Sequence, residues 1–214
     1  MQVEDDLNRL LEADQKLQDA DDRERLAQIA DLVYEVGMLR HTPRTGWAFL
    51  GTNSENVAEH SFRTAVIGYI LANLAGLAPD HVVRLCLFHD LHEARTGDFN
   101  YVYHRYDQAN SKTALAHALL GTGFLAEITA FFQEFSQAES KEALLANDAD
   151  QLDLIANLRV ELHKGNQFAR EWLDSALPRL KTPEGRKLAQ ALLEADPNNW
   201  WYGEVDKSFW VHHK

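Results

Sequence analysis

Arg84-Leu85-Cys86-Leu87-Phe88-His89-Asp90-Leu91-His92-Glu93-Ala94-Arg95-Thr96-Gly97-Asp98 is the stretch on which the fold turns. With Val82 and Val83 ahead of it, it starts as a helix apolar on every side and then, with no loop signal between, sets an imidazole beside a carboxylate. A segment apolar all round is a buried one. Its polar end therefore lies near the core or lines a pocket, where unpaired polar and charged groups cost several kcal/mol. A divalent cation compensates both groups at once. Imidazole nitrogen with carboxylate oxygen suits Mn, Fe, Co, Ni or Zn, and the lack of a thiolate partner argues against a structural zinc site.

Working outward, Gly76 and Pro79 precede this central helix, which is expected to run from Asp80 to Glu93. Gly97 breaks it, so Asp98 heads a loop facing whatever His89 and Asp90 face. Upstream, Ser54 or Asn56 offers a cap and Glu59 a first-turn acid for a helix reaching about Asn73. Its residues Val57, Phe62, Val66, Ile67, Ile70, Leu71 and Leu74 cover a wide apolar face, and His60 falls in line with Ile67, Leu71 and Leu74. His60 thus points inward. Alone it would be read as a core histidine satisfied by a carbonyl; a second buried helix carrying His-Asp makes it a ligand candidate. Downstream, Lys141 to Lys164 is strongly helical and holds Asp148, Asp150 and Asp153 among Leu144, Leu145, Leu152, Ile155, Leu158 and Leu162. Periodicity leaves open which of these aspartates faces inward.

The remaining pattern is also helical. Residues 1–20 place Val3, Leu7, Leu10, Leu11 and Leu17 on one stripe, an extension helix suited to packing on a neighbouring subunit. From Asp21-Asp22 a second helix repeats Leu26, Ile29, Ala30, Val33 and Val36 up to Gly37 and reads as part of the core. Leu39 to Asn56 is a loop containing Arg44 and Trp47. Tyr101 to Tyr106 is either an irregular surface loop laying its rings on the helices or a lid that stacks on a base. Helices follow over 111–120 and 124–135, then around Phe168, Trp172, Leu173, Ala176 and Leu177, and from Thr182-Pro183-Glu184 to Ala195. The tail 196–214 is aromatic but aperiodic and is expected to fold back on its domain or on a partner. No β pattern and no internal repeat emerge. The reading is all-α, a single domain over 1–214 with an extension (1–20), a helical core (21–195) and an aromatic tail (196–214).

Composition narrows the partners. A formal net charge of -12 speaks against binding a nucleic-acid duplex but leaves room for a small anion, provided a metal and one or two arginines make the potential locally positive. No apolar run is long enough to span a membrane, and Met1 to Asp6 is acidic, unlike a secretory leader, so the expectation is no membrane contact and a cytoplasmic protein. Cys86 reads as a small core hydrophobe.

The inventory is therefore His60 on one helix, His89-Asp90 on a second and an aspartate on a third, a use helical bundles make of their cores. Two imidazoles and two carboxylates leave coordination positions open, as catalysis requires. The order His, His-Asp, Asp resembles the HD-domain phosphohydrolases. Glu55-Asn56-Val57-Ala58-Glu59-His60-Ser61, His89 to Asp98, and Ala149-Asp150-Gln151-Leu152-Asp153-Leu154-Ile155 resemble the three motif blocks of one branch, the bacterial HD-domain 5′-deoxynucleotidases and their human HD-domain-containing homologue.

The resemblance implies an HD-domain helical bundle with a metal site between core helices. It implies that His60, His89, Asp90 and Asp150 hold one divalent ion (Co, Mn, Mg, Zn, Ni or Fe), and that Glu93 and Asp98 do proton work on the attacking water and the leaving group. Glu93, four residues after His89, would share its helix face. Arg44 and Trp47 look like the loop pair that contacts phosphate and sugar; Arg44-Thr45-Gly46-Trp47 spaces them as in human-type members, whereas the bacterial enzymes have them adjacent. The implied reaction is hydrolysis of deoxyribonucleoside 5′-monophosphates to nucleoside and phosphate, with a small-molecule nucleotide as partner; the apolar stripe of residues 1–20 and the aromatic tail add the expectation of a homodimer. Two alternatives stand beside it: a dNTP triphosphohydrolase drawing on Arg95, Arg105 and Lys112, and a non-catalytic nucleotide-binding HD module acting through the Trp200 to Trp210 tail.

Overall fold

The computed structural model describes residues 7–14, 22–52 and 55–203. These run through α1 (7–14), α2 (Asp22–Val36), α3 (Val57–Leu74), α4 (Pro79–Phe88), α5 (Glu93–Thr96), α6 (Ser111–Leu119), α7 (Leu125–Gln137), α8 (Lys141–His163), α9 (Ala169–Ala176), α10 (Pro183–Glu194) and α11 (Asn199–Tyr202). Among the described residues no strand forms; the one β feature is an isolated bridge between Pro43 and Asn56 that closes the loop before α3. No described helix is long and apolar enough to cross a membrane.

Three helices make the centre: α3 packs on α4 and α8, and α4 on α8, while α7, α9 and α10 cover α8 from outside. Leu71, Val82, Leu85, Cys86, Ala149, Leu152 and Ile155 fill the space between them and are fully buried. Gly68 permits the closest approach, because a Cβ there would stand 2.6 Å from the Cys86 sulfur and 3.2 Å from Val82. That contact draws the helix of His60 against the helix that leads to His89. A capping box starts α3: the Asn56 side chain accepts from the Glu59 N–H at 3.0 Å, and the Glu59 carboxylate from the Asn56 N–H at 3.3 Å. His60 is fixed in the first turn by it. Ser54, the other expected cap, lies outside the described residues.

The central helix is not continuous to Glu93. It ends at Phe88, because the His89 ring takes the Cys86 carbonyl at 2.7 Å, and the chain tightens to three-residue bonds from Leu91 N to Phe88 O and Glu93 N to Asp90 O. The helix resumes as α5 at Glu93, so His89 and Glu93 do not share one regular helix face.

The aspartates of α8 separate by task. Asp148 accepts the Lys181 N–H at 2.8 Å, the Thr182 N–H at 2.7 Å and the Thr182 hydroxyl at 2.6 Å, tying down the start of α10. Asp148→Ala leaves those donors without an acceptor at a 1% exposed position, and the ion-free protein is expected to lose about 3 kcal/mol in a urea titration. A loss under about 1 kcal/mol would contradict that role.

Two peripheral elements differ from expectation. α1 packs on its own chain: Leu7, Leu10 and Leu11 lie against a second core containing Leu91, Leu115, Leu119 and Leu125, and Asp14 accepts the Gly121 N–H. Val3 and Leu17 lie outside the described residues. α2 has no buried residue; Leu26 and Val33 are 63% and 67% exposed. Leu32 faces the second core, and polar links hold the helix: Arg25 donates to the Thr122 carbonyl and Glu35 pairs with Arg95. The Leu26-Val33 stripe consequently points outward. So do Phe62, Val66, Ile70 and Leu74 of α3. Arg159 of α8 donates to the Leu193 and Ala195 carbonyls at the end of α10, and the tail beyond returns to α8 through Asp196 and Asn198 against His163. Its aromatic end, Phe209 and Trp210, falls outside the described residues.

Candidate active site

α3, the end of α4, and α8 bring four side chains to one point. His60 Nε2 lies 3.3 Å from His89 Nε2, 3.2 Å from Asp150 Oδ1 and 3.4 Å from Asp90 Oδ2, and His89 Nε2 lies 3.1 Å from the same Asp90 oxygen. Each ring is oriented from behind. His60 Nδ1 is 2.7 Å from Asp153 Oδ2, and His89 Nδ1 donates to the Cys86 carbonyl. With the Nδ1 positions engaged as donors, two Nε2 lone pairs and two carboxylate oxygens converge on a common space. Donors about 2.1 Å from a first-row ion, set roughly 90–110° apart, stand about 3.0–3.4 Å from one another. The observed separations fall in that range, so the donor set fits a divalent ion in both chemistry and spacing.

Around this cluster lie the remaining expected residues. The loop before α3 carries Arg44, whose guanidinium donates to Asp98 at 3.1 Å and Asp90 at 3.3 Å and stands 4.0 Å from Asp150. Asp98 also accepts the Thr45 N–H at 2.6 Å, which clasps the Arg44 loop to the segment after α5. Glu93 is 8% exposed, and its Oε2 is a buried oxygen with no hydrogen-bond partner. Trp47 is buried and stacks on Trp172 of α9 with centroids 6.4 Å apart. These groups line one cavity of about 310 Å³, together with Phe99, Asn100, Tyr101, His104, Phe135 and Gln151.

An HD domain family model matches residues 36–191, most of the chain and all of this constellation. The chain belongs to the HD-domain family. Proteins named 5′-deoxynucleotidase HDDC2 resemble it: that of Xenopus laevis is 28% identical over 74% of this chain and 83% of its own length, and that of Homo sapiens 28% identical over 73% and 80%. The 5′-deoxynucleotidase VP0926 of Vibrio parahaemolyticus is 28% identical over 61% and 76%. Among solved structures, a conserved hypothetical protein of Pyrococcus furiosus matches with a TM-score of 0.66, at 29% identity over 78% of this chain and 99% of that one. A predicted metal-dependent phosphohydrolase of Magnetospirillum magnetotacticum matches with a TM-score of 0.63, at 26% identity over 80% and 94%.

Charge in this HD domain is arranged around the same point. Burial disfavours ionised Asp90 and Asp150, but the two histidines and Arg44 outweigh it, holding Asp90 well below the usual range and Asp150 at about 2. Burial and the Arg44 charge oppose a second proton on His60; its bonds to Asp150, Asp153 and Asp90 prevail and raise it. Glu93 goes the other way: burial first, then Asp90 and Asp98, push it up to about 10.

The Glu93 shift sets the sign of a pH effect. Between its ordinary value of 4.5 and about 10, the folded protein holds a proton that the unfolded chain has lost. Its contribution to stability is therefore complete below 4.5 and is lost as pH rises toward 10. With a chelator present, Glu93→Gln is expected to gain on the parent protein as pH rises from 6 to 9, by at most about 1.4 kcal/mol per pH unit. Parallel stability curves would contradict the shift.

Sequence reasoning passed over several residues of this HD-domain centre. Asp153 has a legible signal, its i, i+3 relation to Asp150 on α8. Phe135 and Trp172 have none, since only the fold brings them to the cavity, and Thr45, inside the Arg44 to Trp47 run, shows its role only through its bonds to Asp98. The 101–106 segment splits between the two expected readings: Tyr101 and His104 line the cavity, with the Arg179 guanidinium 5.0 Å from the Tyr101 ring centre, whereas Tyr103 and Tyr106 face solvent.

Proposed function

We propose that this protein is a divalent-metal-dependent 5′-deoxynucleotidase, hydrolysing deoxyribonucleoside 5′-monophosphates to nucleoside and phosphate. The observation that carries the reading is the convergence of His60 Nε2, His89 Nε2, Asp90 and Asp150 on one cation-sized space at the floor of a nucleotide-sized cavity. The relatives named 5′-deoxynucleotidase support the substrate class.

His60, His89, Asp90 and Asp150 would hold the ion. When bound, it polarises a phosphoryl oxygen and makes water more acidic. Arg44 turns its paired N–H groups from Asp98 and Asp90 to the phosphate. Trp47, braced by Trp172, gives the sugar a flat apolar wall. Glu93 holds its own proton in the ion-free protein, but a bound ion's positive charge would favour the ionised carboxylate, whose Oε2, the oxygen with no partner, then takes a proton from the attacking water. As the new phosphorus–oxygen bond forms and the bond to the 5′-oxygen breaks, the proton taken up by Glu93 passes to that oxygen by way of Asp98, the neighbouring carboxylate held in place by the Thr45 N–H.

The monophosphate is favoured over the triphosphate by the cavity's cations. Arg44 is the one arginine or lysine among its described lining residues; Arg95 pairs with Glu35, and Arg105 and Lys112 lie off the lining. A catalytic role is favoured over a binding module by the buried, partnerless oxygen of Glu93 beside the cluster. The reading further includes a single domain, a cytoplasmic location and a homodimer, the last supported by the outward apolar stripes of α2 and α3. A phosphate-release screen of all nucleoside mono- and triphosphates against Co, Mn, Mg, Zn, Ni and Fe tests the function. Inorganic phosphate from deoxynucleoside monophosphates is expected; inorganic triphosphate from a dNTP, or no turnover with any ion, would overturn it.

A further inference from the structure

His60 and His89 are backed by different groups. The His89 ring meets a neutral acceptor, the Cys86 carbonyl, whereas His60 meets the Asp153 carboxylate, 1% exposed and 2.7 Å from Nδ1. The second Asp153 oxygen accepts from Arg63 Nε, and Arg63 donates onward to Glu55 at 2.7 Å. Glu55 takes a further bond from Asn157 at 2.9 Å. His60 and Arg63 belong to α3, and Asp153 and Asn157 to α8, so the chain of bonds laces together the two helices that carry ion donors. Glu55, His60 and Asp153 could by themselves be mistaken for a second ion site. The Arg63 guanidinium already bridges the two carboxylates, and it is the cation of that cluster.

We infer that Asp153 is the positioning residue of this metal centre: it holds the proton of His60 on Nδ1 and thereby aims the Nε2 lone pair at the ion, with Arg63 and Glu55 holding Asp153 in turn. The inference rests on the proposed ion site and says which groups outside the donor set tune it. A ring has two nitrogens, and a ligand ring must keep its proton on the one that faces away from the ion. A carboxylate behind the ring does this and makes the other nitrogen a stronger donor. Arg63 occupies the second oxygen of that carboxylate and stops it from turning toward the site itself.

The test uses the full chain and cobalt(II) alone, by competition with a chromophoric chelator and by the visible absorption of the bound ion. Asp153→Leu is expected to weaken cobalt affinity about 10- to 100-fold and to shift the absorption bands. Asp153→Asn keeps an oxygen acceptor for Nδ1–H, and is expected to return affinity to within a few-fold of the parent. If the leucine variant does not fold, the asparagine variant and Arg63→Gln carry the test, each with an altered cobalt spectrum and an unchanged circular dichroism spectrum. Parent-like affinity and spectrum in folded Asp153→Leu, or parent-like spectra in both polar variants, would overturn the inference while leaving the ion site intact. Absence of cobalt binding by the parent protein would instead overturn the ion site, and this inference with it.

Discussion

Glu93→Gln is expected to keep its divalent ion and lose about 10²- to 10⁴-fold in kcat, the range over which a positioned proton acceptor contributes. Glutamine preserves the volume and one carbonyl oxygen in a site where Glu93 is 8% exposed, so the cavity is expected to stay intact. What it removes is the capacity to accept a proton at Oε2, the oxygen left without a partner. KM for the monophosphate and cobalt affinity should both remain within a few-fold of the parent, because Glu93 belongs to neither the donor set nor the phosphate clamp. A variant that retains most of its turnover would remove Glu93 from the chemistry. A variant that fails through loss of the ion would make it a ligand instead.

Arg44→Ala is expected to cost about 10²- to 10⁴-fold in kcat/KM, since charge-assisted bonds to a phosphate are worth roughly 1.5–3 kcal/mol each and Arg44 has two N–H groups to offer. Lysine should restore little of this, as its point charge cannot make the paired contact. The ion responds in the opposite sense. Arg44 lies 3.3 Å from Asp90 and 4.0 Å from Asp150, where its charge competes with a cation for the same carboxylates. Removing it should leave cobalt affinity equal or higher while catalysis falls. Parallel loss of ion and activity would show that Arg44 is a scaffold for the donors and not a clamp for substrate.

How much of this was legible in the sequence follows from what periodicity measures. The all-α class, the limits of α3 and α8, and the inward direction of His60 came from stripes of apolar residues at helical spacing, and the fold has them there. A stripe says that a face is apolar, not what covers it. That is why Leu26 and Val33 of α2, read as core, stand exposed, and why α1 packs on its own chain. Local competition was also invisible: nothing in Cys86-Leu87-Phe88-His89 announces that the ring will claim the Cys86 carbonyl and end the helix. Among the α8 aspartates spacing could not choose; tertiary partners sort them, sending Asp148 to the start of α10, Asp150 to the shared space and Asp153 behind His60. The motif blocks pointed to the right neighbourhood because they are local in sequence. Trp172 and Phe135, brought in from elsewhere in the chain, could be found only in three dimensions.

Anomalous diffraction from crystals soaked in cobalt(II) bears on the ion site without relying on catalysis. One peak is expected per chain, about 2.0–2.2 Å from His60 Nε2, His89 Nε2 and one oxygen each of Asp90 and Asp150. A peak held by other side chains, or a saturating soak that leaves the space between His60 and His89 without one, would contradict it.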